Sequence, residues 1–283
     1  MKAIILLLAM LITAPATAQS HFGYAGVLCG LDGAGEDFAA EVASFTNIAH
    51  VCPTGDIATD AARLARAWEL GMTPLFHVEP MFFRRNGFAM WRRNSLDLWQ
   101  AGLQSIAVSG VPTEELVLYV ADEPSLMRLN PRRLEQVIDR IRADLPGART
   151  MVIDAYRDRH PPAVPWNVNY WGFNMYLLSD PAQDERFMRH LNAARNSSPH
   201  SVELVLVMDA THTPIHSQAG LAPEDMAEVA RNYAALAATE GVAMLLAYAW
   251  PGGIEWEDEL GARDLPGSVR AAHTEIGRAI VGR

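Results

Sequence analysis

The chain has 283 residues, half of them hydrophobic, with 33 acidic and 23 basic side chains and a formal net charge of −10. This length suits one large domain with a sizeable core. The acidic balance disfavours nucleic acid and anionic membrane surfaces as partners.

Residues 1–20 have the pattern of a signal peptide. Lys2 precedes the apolar run Ile4–Ile12, and Ala16-Thr17-Ala18 is a small-x-small cleavage signal. No later stretch approaches ~20 consecutive apolar residues, so we expect export to a periplasm or the medium and no membrane association afterwards. Lys2 is the only lysine. Its removal leaves a net charge of −11 and excludes catalysis that needs a lysine amine, such as Schiff-base or pyridoxal phosphate chemistry.

Residues 21–283 alternate between apolar runs and amphipathic segments. The runs are Tyr24–Leu28, Ile48–Val51, Pro74–Val78, Leu116–Ala121, Met151–Ile153, Gly172–Tyr176, Leu204–Met208 and Ala243–Ala249. Such short runs are typical of strands buried on both faces. Eight strands separated by helices predict one parallel (β/α)₈ barrel over residues 21–283.

Two helices between these strands are well marked. Asn130 and Pro131 begin the first, which Pro146-Gly147 ends, and Pro223-Glu224-Asp225 begins the second. The fifth connection, Tyr156 to Tyr170, contains three prolines and no helical period, which predicts an irregular loop.

Cys29 and Cys52 follow the first two predicted strands. Neighbouring strand ends lie close together, and disulfides persist in exported proteins, so a Cys29–Cys52 bridge is one expectation. Two buried free thiols are the alternative, and the sequence leaves both open.

Chemically active side chains stand at or just beyond most strand ends. They are Cys29, Asp56, His77, Glu79, Asp122, Glu123, Asp154, Tyr176, Asp209, His212 and Trp250. The carboxyl ends of the strands form the active face of a parallel barrel. Carboxylates on opposed strands suit glycoside hydrolysis, in which one protonates the leaving oxygen and the other attacks or activates water. Trp250 and the cluster Trp166, Tyr170 and Trp171 offer flat faces for sugar rings, with burial in the core as the alternative.

The motif Asp122-Glu123-Pro124 resembles the Asn-Glu-Pro or Asp-Glu-Pro signature of clan A type glycoside hydrolases, which are retaining (β/α)₈ barrels. The resemblance implies that Glu123 is the acid/base and that Asp122 orients it or a sugar hydroxyl. It also implies that Tyr176 supports a nucleophile and that Trp250 forms the floor of the sugar site.

The seventh strand departs from that family, which has a nucleophilic glutamate where this chain has Asp209. The shorter side chain widens the gap to Glu123 by ~1 Å, from the ~5–5.5 Å of retaining enzymes toward the ~6.5–9.5 Å that admits a water. We take Asp209 as the candidate second carboxylate. A structural acid that binds a helix amide or His212 is the alternative.

The third connection contains four arginines, Arg84, Arg85, Arg92 and Arg93, in an otherwise acidic protein. Because it follows strand three, we expect it to overhang the active face, where guanidinium groups would favour an acidic glycan. The alternative is a solvated loop whose arginines pair with surface acids.

The sequence therefore predicts an exported glycoside hydrolase without cofactor or metal. The predicted substrate-binding residues are Asp122, His77, Glu79, Asp154, Tyr176, His212, Trp250, Arg84, Arg85 and Trp171. One alternative is a carbohydrate-binding barrel without a nucleophile. Another is a metal-dependent sugar isomerase or hydrolase with ligands from His77, Glu79, Glu123, Asp154, His212 and His216, although Pro214 disfavours the last two as a helical pair. No nucleotide-binding loop is visible, and the oligomeric state is open.

Overall fold

The computed structural model describes residues 19–30, 37–85, 87–158, 160–199, 201–254 and 256–282. Its barrel strands are β1 (His21–Leu28), β2 (Ile48–Val51), β3 (Thr73–His77), β4 (Val117–Asp122), β5 (Arg149–Ala155), β6 (Tyr170–Asn174), β7 (Glu203–Asp209) and β8 (Met244–Tyr248). Each strand pairs in parallel with the next, and β8 pairs with β1, so the barrel is closed. The predicted (β/α)₈ fold is confirmed.

Alternation along the strands divides the apolar side chains into two clusters. Ile48, Val117, Tyr119 and Met244 belong to a small cluster inside the barrel. The neighbouring residues, such as Leu118, belong to a larger cluster beneath the surrounding helices. Both faces of each strand are therefore buried, which explains why the strands appear in sequence as unbroken apolar runs.

The helices are α1 (Ala39–Val42), α2 (Ile57–Glu69), α3 (Glu79–Phe82), α4 (Ser95–Ser109), α5 (Pro131–Asp144), α6 (Glu185–Ser197), α7 (Pro214–Gln218), α8 (Met226–Thr239) and α9 (Gly267–Val281). The predicted start of α5 is confirmed, because the Asn130 side chain accepts a hydrogen bond from the amide of Arg132. A 3₁₀ turn at Pro223–Asp225 precedes α8, near the predicted start of that helix.

Two connections and one strand can be compared with their predictions, of which the first is confirmed and the other two differ. The fifth contains no helix among its described residues, as its prolines predict. The third is an ordered hairpin of Phe83–Arg85 with Ala89–Trp91 rather than a plain loop. Strand β6 starts two residues earlier than predicted and ends at Asn174, so Tyr176 lies beyond it.

The predicted signal peptide lies outside the described residues except for Gln19 and Ser20. At the amino end of the strands, Gln19 lines a groove with Ile276 and Ile280 of α9. No helix in the described part of the chain is long and apolar enough to cross a membrane.

Cys29 and Cys52 form a disulfide that joins the carboxyl ends of β1 and β2. It closes a loop with a sequence separation of 23 residues. In the chain-entropy description, such a loop stabilises the fold by about 3 kcal/mol, because it restricts the unfolded chain.

We predict that alkylation of the native protein without reductant leaves both cysteines unmodified, as read by mass spectrometry. Reduction, or the Cys29→Ser/Cys52→Ser double variant, should lower the free energy of unfolding by ~2–4 kcal/mol in urea titrations. Two alkylated cysteines in the native protein would show that the bridge does not form.

Candidate active site

An irregularity in β4 aims its last residues at the mouth of the barrel. The register with β5 shifts between Tyr119 and Ala121, so Val120 and Ala121 both belong to the outer cluster. A β-bulge of this kind changes the direction of the following side chains. Asp122 consequently points into the barrel mouth, where regular alternation from Tyr119 would have turned it away.

Glu123 follows with a left-handed backbone, φ 52°, which is unusual for a residue other than glycine. Its amide donates a hydrogen bond of 2.7 Å to the Ile153 carbonyl of β5. A left-handed residue of this kind costs about 1–3 kcal/mol and persists only where the surroundings hold it. The bulge and this turn together bring two consecutive carboxylates to one pocket.

That pocket lies at the carboxyl end of the strands and encloses about 150 Å³. It is lined by Ala25, His50, His77, Arg85, Tyr119, Asp122, Glu123, Ile153, Asn174, Tyr176, Val207, Leu246 and Tyr248. Four of these were predicted as substrate-binding residues, Asp122, His77, Tyr176 and Arg85, and Glu123 was the predicted acid. The structure thus brings these five predicted side chains together in one pocket.

Glu79 lies behind the pocket wall and is only 4% exposed. It forms a two-pronged ion pair with Arg85, with Nε to Oε1 at 2.8 Å and Nη2 to Oε2 at 2.9 Å. It also accepts a hydrogen bond of 2.7 Å from the amide of Asp122. Arg85 in turn reaches the Asp122 carboxylate at 3.2 Å and hydrogen-bonds to the Asp122 carbonyl. Glu79 therefore positions the motif and does not itself line the pocket.

The electrostatics of Glu79 follow from this arrangement. Burial alone would raise the pKa of its carboxyl, but the contacts with His77 and Arg85 outweigh burial and lower the pKa from 4.5 to about 2. The same ion pair raises the pKa of Arg85 against the effect of burial. The carboxylate and the guanidinium are both charged at neutral pH.

Asp122 and Glu123 have further polar partners inside the pocket. Tyr119 donates a hydrogen bond of 2.5 Å to Oδ1 of Asp122. The side-chain amide of Asn174 donates to Oε1 of Glu123 at 2.8 Å and lies 3.4 Å from the Tyr176 hydroxyl. Asn174 thereby links the predicted acid to the tyrosine beyond β6.

Two histidines stand on the opposite side of the pocket from Asn174. The rings of His50 and His77 lie 5.3 Å apart, and His77 stacks on Tyr119 at 4.7 Å. Nδ1 of His50 accepts a hydrogen bond from the Gly26 amide at 3.1 Å. Burial, followed by the nearby His77, lowers the pKa of His50 from 6.5 to about 3, so its ring is neutral at ordinary pH.

Asp154 does not line the pocket, contrary to its prediction as a substrate-binding residue. It is 3% exposed and accepts hydrogen bonds from the Ser125 amide at 3.0 Å and the Ser125 hydroxyl at 2.5 Å. It thus holds the turn that follows Glu123. Burial raises its pKa, which the bonds from Ser125 partly offset.

Asp209 requires the largest correction. It is 1% exposed, lies outside the pocket lining, and uses Oδ2 to accept from the Leu177 amide and from Nε2 of His216, each at 3.0 Å. The partner is His216 on α7 rather than His212. Asp209 therefore does not line the cleft that contains Glu123, and its contacts are those of the structural alternative.

Three of the four predicted aromatic platforms are core residues, whereas Trp166 is 60% exposed and lies outside the pocket lining. Trp250 is 5% exposed, packs edge-on against Tyr24 with ring centroids 4.9 Å apart, and donates a hydrogen bond of 2.8 Å to Glu41. Trp171 is fully buried on the outer face of β6, beside Phe173. Neither lines the pocket. Trp171 lies on the face of β6 that packs under the helices, and Trp250, two residues beyond β8, belongs to the same outer cluster.

Three other predicted residues also lie away from the pocket. His212 is buried, and its Nε2 lies 2.9 Å from the Leu221 carbonyl. Arg84 is exposed on the hairpin, and Asp56 caps α2 through Thr59. The histidines and acids of the metal hypothesis therefore do not converge. Among the described residues, the one cluster with metal-ligand spacing is Cys29, His50 and Cys52, of which the two cysteines are bridged.

The sequence interpretation missed His50, Tyr119, Asn174 and Tyr248. All four lie within strands and inside the apolar runs from which those strands were predicted. Polar residues at inward positions near the carboxyl end of a strand were the available signal. The interpretation looked beyond strand ends and so passed over them.

The fold and the site together define a (β/α)₈ barrel with a carboxylate pocket at its carboxyl mouth. No protein-family model matches the sequence, and no curated protein matches it significantly. Solved structures do match. A glucosidase from Croceicoccus marinus superposes with a TM-score of 0.60 at 12% identity, covering 93% of this chain and 68% of that one.

Two other solved structures are similar at the level of fold. A GH113 beta-1,4-mannanase has a TM-score of 0.57 at 10% identity and covers 91% of this chain and 98% of that one. Saccharomyces cerevisiae Gas2p in complex with laminaripentaose has a TM-score of 0.57 at 11% identity. This chain covers 65% of the Gas2p chain. The resemblance to clan A type barrels is thus confirmed for the fold.

We predict that Glu79→Gln changes the acid stability of the protein. Ionised Glu79 stabilises the fold fully above pH 4.5, the pKa expected when unfolded, and this contribution is lost as pH falls toward about 2. The free energy of unfolding of the wild type should fall across this window. That of Glu79→Gln should be lower than the wild-type value above pH 4.5 and should fall less as the pH decreases. Urea midpoints at stepped pH measure this, with exposed Glu69→Gln as the matched control. Parallel decline in all three proteins would contradict the assignment.

Proposed function

We propose that the protein is an exported glycoside hydrolase in which Glu123 is the general acid/base. The observation that carries the proposal is the position of Glu123 at the carboxyl mouth of the barrel, beside Asp122 and in hydrogen-bond contact with Asn174. A carboxyl there can protonate a glycosidic oxygen and then activate water. The glycoside hydrolase folds of the structural neighbours support the same reading.

Export rests on the sequence pattern of residues 1–20, and a disulfide between Cys29 and Cys52 is consistent with an oxidising compartment. The substrate is a carbohydrate in this proposal. The neighbours were crystallised as a glucosidase, a mannanase and a protein bound to laminaripentaose, which supports sugar recognition without selecting the sugar.

The structure weakens the expectation of an acidic glycan. That expectation rested on the four arginines of the third connection. Of these, Arg85 lines the pocket, and it is already paired with Glu79 and Asp122. A guanidinium between two carboxylates has little positive potential left for a third anion. A neutral sugar therefore fits the pocket better than a uronate.

A carbohydrate-binding barrel without turnover stays a second candidate. The observation that favours it is the burial of Asp209 behind the pocket, which removes the expected second carboxylate of a two-carboxylate mechanism. Turnover separates the two functions, since both predict sugar binding.

We predict that Glu123→Gln lowers kcat on a glycoside with a poor leaving group by ~10²–10⁴-fold, because the amide keeps the shape and loses the proton. On an activated aryl glycoside the first step needs less protonation, so the loss should be smaller. Glu69→Gln, on the surface of α2, is the matched control and should keep the wild-type rate. A wild-type rate for Glu123→Gln on the poor leaving group would refute the assignment.

A further inference from the structure

Both carboxylates of the pocket come from the same side of the barrel. In the part of the chain that the structure describes, these are Asp122 and Glu123, at the end of β4. Strand β8 lies diametrically across the barrel from β4. The lining residues from that side are Val207, Leu246, Tyr176 and Tyr248, which are apolar or phenolic. The described wall that faces Glu123 therefore presents no carboxylate to attack an anomeric carbon.

The phenol of Tyr176 does not take over that task. Burial, followed by the charge of Asp209, raises its pKa well above the ordinary value, so it is a neutral phenol at working pH. A neutral phenol is a poor nucleophile but a good hydrogen-bond donor. Tyr176 accepts from Asn174 at 3.4 Å, and its own hydrogen can serve a ligand carbonyl.

Besides the carboxyl of Glu123, the pocket contains a hydrogen-bond acceptor, a hydrogen-bond donor and an apolar surface. Asp122 accepts hydrogen bonds from Tyr119 on Oδ1 and contacts Arg85 on Oδ2, which occupies two of its four lone-pair positions. Tyr176 supplies a phenolic donor. Ile153, Val207 and Leu246 form an apolar floor beneath them. An acceptor, a donor and a small apolar surface match the N–H, the C=O and the methyl of an acetamido group.

Resting on the proposed hydrolase function, the geometry points to 1,2-trans glycosides of 2-acetamido-2-deoxy sugars as substrates, with the acetamido oxygen of the substrate as the nucleophile. Asp122 receives the acetamido N–H in this assignment and Tyr176 donates to its oxygen. A hydroxyl at C2 would leave the apolar floor without a partner.

The steps balance without a further reagent. The acetamido oxygen forms a bond to C1 while the bond from C1 to the leaving oxygen breaks, and Glu123 gives its proton to that oxygen. The resulting oxazolinium ion carries a positive charge, which Asp122 stabilises through the N–H. Glu123 then takes a proton from water, the water oxygen bonds to C1, and the bond from C1 to the acetamido oxygen breaks. The sugar is released with retained configuration.

The experiment compares matched aryl β-glycosides of N-acetylglucosamine and N-acetylgalactosamine with their 2-hydroxy counterparts. We expect hydrolysis of one acetamido sugar at a kcat/KM at least ~100-fold above its 2-hydroxy counterpart, which cannot form the ring. Replacing acetyl by trifluoroacetyl weakens the nucleophile and should lower kcat by ~10-fold or more. A thiazoline that mimics the bicyclic intermediate should bind wild type, as measured by calorimetry.

The variants separate this inference from the proposed function. Asp122→Asn should lose thiazoline affinity and acetamido turnover, whereas exposed Asp97→Asn is the control and should keep both. The melting temperature verifies that each variant is folded, and Tyr176→Phe supplies a second, milder test. Equal rates on acetamido and 2-hydroxy sugars, with a 2-deoxy-2-fluoro glycoside labelling a carboxylate, would overturn the inference and keep the glycosidase. No turnover in either series, with no thiazoline binding, would overturn both.

Discussion

The site depends on one buried anion, the carboxylate of Glu79. It joins the segment after β3 to the end of β4, because it binds both the guanidinium of Arg85 and the amide of Asp122. A buried carboxylate costs several kcal/mol unless it is paired, and its partners here compensate that cost only in this geometry. The position of Asp122 is thus tied to a contact that few other arrangements of the loop would satisfy.

Two backbone irregularities at the end of β4 bring adjacent carboxylates to the same face, which a regular strand would not allow. Consecutive residues of a strand point to opposite faces, so two adjacent carboxylates would normally be separated by the sheet. The bulge before Asp122 and the left-handed backbone of Glu123 bring both to the pocket. Asp154 stabilises the following turn through Ser125. The unfavourable backbone of Glu123 is therefore supported from both sides.

The sequence predicted the barrel well, because strands buried on both faces produce apolar runs that need no knowledge of tertiary contacts. It also predicted that Asp122 and Glu123 stand at the mouth of the barrel, since the carboxyl ends of the strands form that face. The direction of a side chain at a strand end could not be predicted. Asp209, Trp250 and Trp171 were assigned to the cleft. Asp209 does share the inward face of β7 with Val207, but Leu177 and His216 cover it. Trp171 and Trp250 belong to the outer cluster, and such tertiary contacts are not encoded in three or four residues of sequence.

The parallel barrel separates the pocket from both ends of the described chain. Gln19 enters β1 at the amino end of the strands, and Ile276 and Ile280 of the last helix line the same groove beside it. Gln19 and the end of α9 therefore both lie on the side of the barrel away from Glu123. A solid support coupled beside Gln19 or at the end of α9 would leave the mouth turned outward, open to a long polymer arriving from solution.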